Sequence, residues 1–297
     1  MEFTTFRFAV FFLSLFIVYW AIPSKVRWIC LLIADIVFYS FAGIPYLLLL
    51  AFSIVWSYLI GIWIDKADND RSRKRRLIPG IIIALLFLCF FKYGTELFKN
   101  ISSWQIIPDN LRMSAQTLKI AMPLGVSFYT FQIIGYLADL CKGKIHAEHH
   151  LGYYALFVSF FPQIVSGPIG RADRLIPQFR QERSFSYDKA SSAIRLIVWG
   201  CFEKLVIANT LAERVDQYFN HIESYVGLIL IAAVVMYAFQ IYCDFSGYTD
   251  IALGCAGLLG INLDVNFKCP YFSRSPREFW SRWHISLSSW LRDYIYI

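Results

Sequence analysis

The sequence predicts an all-α, polytopic transmembrane protein, and three observations carry that prediction. Apolar residue types make up 58% of the 297 residues and only 16% are charged, for a mean hydropathy of +0.51. That is more apolar surface than one water-soluble core can hide. The apolar residues also gather in runs close to the length of a helix that crosses a hydrocarbon layer of roughly 30 Å. Basic residues sit in short clusters between those runs, where topology signals and lipid-headgroup anchors are expected.

In chain order, the runs at 8–22, 28–41, 44–64, 77–93, 120–140, 153–165, 194–208, 227–242 and 251–261 are candidate spans. The first resembles a secretory leader, but Pro23, Lys25 and Arg27 lead straight into another apolar run with no small-residue cleavage site, so it reads as a retained span. Between the third and fourth runs, 65–76 packs Lys66, Arg71, Arg73, Lys74, Arg75 and Arg76 together and is expected on the cytoplasmic side. The next loop, 100–119, carries Pro108, Asp109 and Asn110 with fewer basic residues and is expected outside. Stretches 142–150 and 171–189 are basic again and return to the cytoplasmic side. Several later runs are short, which suits tilted, re-entrant or protein-buried helices. After Gly260 the texture changes, and 262–282 mixes aromatics with Lys268, Arg274, Arg277 and Arg282 as interfacial helices do. No repeat or domain boundary is visible, so 1–297 reads as a single integral membrane domain.

The net charge of +7 does not point to nucleic acid, because the basic residues form no continuous soluble face. Seven scattered cysteines contain no C-x-x-C pair, which argues against a disulfide framework or a zinc site. His146 and His150 have an i, i+4 spacing that zinc tolerates on a helix, but they sit in a polar stretch that reads as solvated loop. The sequence has no G-x-S-x-G, H-E-x-x-H or P-loop run.

The segment 277–294, REFWSRWHISLSSWLRDY, sets Arg277, Arg282, His284, Arg292 and Asp293 among Trp280, Trp283 and Trp290. Ionisable groups are expensive at membrane depth and mark functional lumens, although an aromatic belt with snorkelling arginines has the same composition. On one continuous helix Trp283 and Trp290 would share a face, and His284 would stack with Ser288 one turn on. In YCDFSGYTDIALG, Asp244, Ser246, Tyr248 and Asp250 form an acidic, hydroxyl-rich patch. Either it lines a substrate path or its carboxylates pair with Arg277 or Arg282 to hold helices together. In FFPQIVSGPIGR, Pro162, Gly167, Pro168 and Gly170 force a helix break. Such a break survives only inside protein or beside a wet cavity; Gln163, Ser166 and Arg171 either face that cavity or belong to an ordinary span-terminating turn. Pro123 and Gly125 in MPLGVSFYTFQ suggest a kinked helix with Tyr129 and Gln132 on one polar stripe.

These blocks, in this order, together with WSRWHISLSSWLRDYIYI, resemble the membrane-bound O-acyltransferase family over nearly the whole chain. The branch is that of the bacterial alginate O-acetylation proteins, with the teichoic-acid D-alanyl transfer proteins as cousins. The resemblance implies a ring of tilted helices around a central tunnel, in a multi-pass protein of the bacterial cytoplasmic membrane. It implies transfer of an acyl group, acetyl in this branch, from a cytoplasmic thioester to hydroxyls of a cell-surface polysaccharide. No bound cofactor is implied, only an acyl donor such as acetyl-CoA or an acyl carrier as co-substrate. The expected partners are the lipid bilayer, the polysaccharide and a separate extracytoplasmic acetyltransferase. His284 matches one of two prominent family histidines and is the candidate catalytic residue. The substrate or tunnel lining would come from Asp244, Ser246, Tyr248, Asp250, Gln163, Arg282, Trp283 and Ser288. The second histidine, usually regarded as catalytic, lies further downstream, and the sequence stops at Ile297 before it. The resemblance therefore implies an N-terminal portion lacking the last helices. A transporter or export channel, and an inactive remnant serving in assembly, are the rival readings; the inverted repeats common in transporters are not visible.

Overall fold

A computed structural model of the chain describes residues 1–102, 122–165 and 167–296, with side chains left out at 98–102. Most of the 100–119 loop, and Ser166, lie outside the described residues. Among the described residues the secondary structure is helical throughout, without strands. The helices are α1 (Phe6–Ala21), α2 (Arg27–Ser40), α3 (Ile44–Asp65), α4 (Asp70–Ser102), α5 (Val126–Cys141), α6 (Leu151–Ser159), α7 (Phe161–Ile164), α8 (Ala172–Arg180), α9 (Tyr187–Cys201), α10 (Asn209–Asn220), α11 (Leu228–Leu258), α12 (Pro276–Arg282) and α13 (Ile285–Leu291).

Three of these helices are long and apolar enough to cross a membrane by length and composition: α3, the 70–97 part of α4, and α11. The shorter apolar helices α1 and α5 have 16 residues each, about 24 Å of rise. Leu13, Ile17, Leu48, Leu86, Ile231 and Val234 point outward from the bundle. Exposed apolar faces of this extent suit hydrocarbon rather than water.

The core lies where α1, α2, α6 and α7 meet. Phe8, Phe12, Phe38 and Phe161 are all buried there and in ring contact. Asp35 of α2, also buried, accepts from the Ser159 hydroxyl at 2.9 Å and from the Phe161 N–H at 2.8 Å. It thereby satisfies backbone that the α6–α7 break sets free. Pro162 in the first turn of α7 fits that break, because proline has no N–H with which to continue the α6 hydrogen-bond ladder and its ring clashes with the carbonyl four residues back in a continuous helix. Gly125 caps α5 at φ +69, and a Cβ there would sit 2.0 Å from the Ile164 carbonyl oxygen, so only glycine lets α5 approach α7 this closely.

Four expectations about elements are corrected. The basic stretch 65–76 is largely helix: Asn69 accepts from the Ser72 N–H at 2.8 Å, and the lysines and arginines beyond are good helix formers. The runs 227–242 and 251–261 are one helix, α11, since the polar residues between them are met by lateral packing rather than by a turn. The run 194–208 does not stop at Ala208; α9 passes through a π-helical segment, Phe202–Ala208, directly into α10. The segment around His284 breaks into α12 and α13.

Helices α9 and α11 cross backbone to backbone. A Cβ on Gly247 would lie 2.6 Å from the Gly200 oxygen, and one on Gly254 would lie 2.7 Å from the Ala193 oxygen. Small residues at such a crossing are what membrane helix pairs use in place of a hydrophobic drive.

Candidate functional site

The break between α12 and α13 is made by a chain segment eighteen residues upstream. Asn266, fully buried, accepts from the Ile285 N–H at 2.9 Å through its carbonyl and from the Ser286 N–H at 3.1 Å through Oδ1. The Lys268 N–H donates to the Arg282 carbonyl at 3.0 Å. Backbone groups that a continuous helix would pair internally are thus paired to 266–268. His284, caught between, takes a left-handed conformation with φ 45. For a non-glycine residue this costs about 1–3 kcal/mol and persists only where the surroundings impose it.

The His284 ring stands edge-on to Phe245 of α11, centroids 4.8 Å apart. Its buried Nδ1 has no hydrogen-bond partner among the described residues. Burial pushes its pKa down to about 4, so near neutral pH the imidazole is uncharged. Trp283 stacks on Phe279 and approaches Phe267, Tyr271 and Tyr242, building an aromatic wall beside it.

The 122–140 and 160–171 blocks converge on α13 and the residues just after it. The Ile169 N–H donates to Ser286 Oγ at 3.0 Å. Arg171 donates to Asp293 Oδ2 at 2.7 Å and stacks over Tyr294, while Tyr294 donates to Asp139 at 2.6 Å. Trp290 Nε1 donates to the Phe131 carbonyl at 2.9 Å. Gln132 and Gln163 are both buried and donate to the same Phe157 carbonyl at 3.1 and 2.9 Å, and the Oε1 of each is buried without a partner among the described residues. Next to α13 opens a polar cavity of about 630 Å³, its lining including Lys144, Arg171, Lys268, Ser286, Ser289 and Asp293.

Not every predicted residue joins His284. Ser288 does, its hydroxyl donating to the Trp283 carbonyl at 3.1 Å, but it belongs to α13 and does not stack beneath His284 on a continuous helix. Arg282 pairs with Glu278 at 2.6 Å and Asp244 with Lys204, so the expected pairing of Asp244 or Asp250 with Arg277 or Arg282 is not made. Tyr248 stacks on Phe3, 4.7 Å away. Ser246 and Asp250 lie by Glu203. His150 caps α6, accepting from the Tyr153 N–H at 3.3 Å, and His146 reaches Asp65 at 3.5 Å. Glu148, in the stretch expected to be solvated, is buried against Arg180.

Sequence reasoning missed Asn266, Ser286, Asp139, Glu203 and Asp35. Glu203 carried a usable signal, a charge inside an apolar run; Asn266 carried none, because its role depends on segments distant in sequence.

Residues 144–297 match the model of the MBOAT, membrane-bound O-acyltransferase family. Over its whole length the chain is 38% identical to the probable alginate O-acetylase AlgI of Pseudomonas aeruginosa, covering 57% of that protein. It is 33% identical to the peptidoglycan O-acetyltransferase of Helicobacter pylori, over 90% of the chain and 54% of that protein. It is 32% identical to the teichoic acid D-alanyltransferase of Streptococcus thermophilus, over 59% of the chain and 43% of that protein. The chain spans little more than half the length of the curated relatives it matches.

Proposed function

The chain belongs to the membrane-bound O-acyltransferase family, and from that membership we propose that it transfers an acyl group, acetyl, from a thioester donor to hydroxyls of a cell-surface polysaccharide. The observation that carries the reading is the neutral His284 at the α12–α13 break, its buried Nδ1 without a partner among the described residues, directly before Ile285 and Ser286, which line the polar cavity together with Asp139, Ile169 and Arg171 of two other motif blocks. The named relatives support it, since an alginate O-acetylase, a peptidoglycan O-acetyltransferase and a teichoic acid D-alanyltransferase all modify envelope polymers.

In this reading His284 takes the proton of the acceptor hydroxyl as its oxygen attacks the thioester carbonyl. The carbon–sulfur bond breaks, and the imidazolium returns the proton to the leaving thiolate. The aromatic wall of Trp283, Phe267 and Tyr271 excludes water that would hydrolyse the thioester. The protein lies in the bacterial cytoplasmic membrane as one multi-pass domain, with the basic 65–76 stretch on the cytoplasmic side. The donor, acetyl-CoA or an acyl carrier, approaches from that side, and the polysaccharide acceptor from the opposite side, where a separate extracytoplasmic acetyltransferase is the partner.

The test is transfer of radiolabelled acetyl from a thioester donor to envelope polysaccharide, in membranes carrying the protein against membranes without it. Alkali-labile label on carbohydrate hydroxyls is the expected result. Label that stays on the donor, or appears on lipid or protein alone, overturns the reading.

A further inference from the structure

The α9–α11 crossing holds a second group of charges, separate from the His284 region. Four acidic or basic side chains stand here, Glu203, Lys204, Asp244 and Asp250, with the titratable Tyr242 and Cys243 also within reach of Glu203. Lys204 is taken by Asp244, leaving two carboxyls against no cation. Glu203 is 5% exposed; its Oε1 accepts from Trp199 Nε1 at 3.0 Å, while its Oε2 is buried with no partner among the described residues. The Gly200–Gly247 contact brings it in: a Cβ on Gly247 would lie 3.0 Å from Glu203 Cβ. Ser246 is beside Glu203, and Asp250, one turn further along the same helix, lies within the electrostatic reach of Glu203.

The α10 helix, packed on α11, carries Arg214, but among the described residues no ion pair to Glu203 or Asp250 is made. The α7 helix, Phe-Pro-Gln-Ile, has no charge. Glu2, another acid, acts on Tyr248, and Lys204 also lies over the Tyr248 ring. Glu203 opens the π-helical segment Phe202–Ala208, and such segments inside helices recur at functional sites. An unpaired buried carboxylate beside a second acid is unstable in a low-dielectric setting unless a positive charge joins it. Among the described residues no three His, Cys, Asp or Glu side chains come together as metal ligands.

We propose that Glu203, Ser246 and Asp250 form a binding site for one positive charge, a proton or an alkali-metal ion, inside the α9–α11 pair. The site does not depend on the acyl-transfer reading.

The experiment follows the thermal midpoint of the detergent-purified protein, by intrinsic tryptophan fluorescence, at constant ionic strength. Choline chloride is replaced by sodium or potassium chloride, and the pH is varied from 8.5 to 6.5, for the parent and for Glu203→Gln and Asp250→Asn. A rise of about 3 °C or more with one alkali ion, lost in both variants, identifies the ion. A rise of that size on lowering the pH, indifferent to the salt and lost in both variants, identifies the proton. A parent that tracks both variants across every salt and pH overturns the proposal. The variants are near-isosteric, and their own midpoints at pH 8.5 report whether they fold.

Discussion

His284 and Phe245 meet edge to face, 4.8 Å between centroids and 87° between planes, and together with the Trp283–Tyr242 approach this contact joins the break between α12 and α13 to the long apolar helix α11. The ring that forms the contact leaves its other polar atom, Nδ1, buried and unpaired. Nothing in the described fold uses that nitrogen, which is what a group waiting for a substrate proton requires.

Replacing His284 with glutamine is therefore expected to lower kcat for acyl transfer by about 10²–10⁴-fold, the usual worth of general acid–base catalysis, while KM for the donor changes little. Initial rates with labelled donor measure both. His284→Gly is expected to be equally inactive yet stably folded, because glycine adopts φ 45 without strain. A glycine variant that keeps activity would remove the imidazole from the reaction.

Acidification should loosen this region in a defined window. The folded pKa of His284 is held down to about 4 by burial, against about 6.5 for a free imidazole. Between those values the unfolded chain binds the proton and the folded chain does not, so stability falls as pH drops from about 6.5 towards 4. The thermal midpoint of the parent is expected to decline across that window more steeply than that of His284→Gln.

The α9–α11 crossing should tolerate no side chain. Gly247→Ala places a methyl 2.6 Å from the Gly200 carbonyl oxygen, an obstacle that is backbone and cannot swing away. A loss of about 1–3 kcal/mol is expected, read as a lowered midpoint in thermal or denaturant unfolding. Gly257→Ala, whose added carbon would meet only the Ala193 side chain at 3.2 Å, is expected to lose clearly less.

Asp35 should matter for the shape of the α6–α7 break. Asp35→Ala leaves the buried Phe161 N–H without its acceptor, while the Ser159 hydroxyl keeps the Ala155 carbonyl at 2.8 Å, at a cost of about 1–3 kcal/mol for the one unsatisfied buried group. Asp35→Asn keeps one carbonyl oxygen and should recover part of the loss. Unfolding midpoints of the two variants side by side check the order.

Much of this architecture was legible before any coordinates. The span at 44–64 announced itself by length, and Pro162 with Gly167, Pro168 and Gly170 announced a break beside α7. The errors share a cause. The polar run from Asp244 to Asp250 looks like the end of a span, but Gly247 lets α9 press against it and the helix runs on. His284 and Ser288 look like helical neighbours, but Asn266 arrives from outside the local window and takes the backbone hydrogen bonds. Glu203 looks like an interruption in an apolar stretch, because its neighbours Ser246 and Asp250 come from more than forty residues downstream. Periodicity reports what a segment does alone, and these residues are defined by what comes to meet them.

The bonds that stitch the site also set an order of assembly. Ile169 to Ser286, Arg171 to Asp293 and Phe131 to Trp290 close loops of 117, 122 and 159 residues. During synthesis the earlier partner of each pair is made first, while more than a hundred residues are still to come. The late-emerging stretch 285–293 is the keystone: until it is laid, the Ile169 N–H and the Arg171 guanidinium lack these partners, and a nascent chain stalled before it presents them to water, lipid or a chaperone.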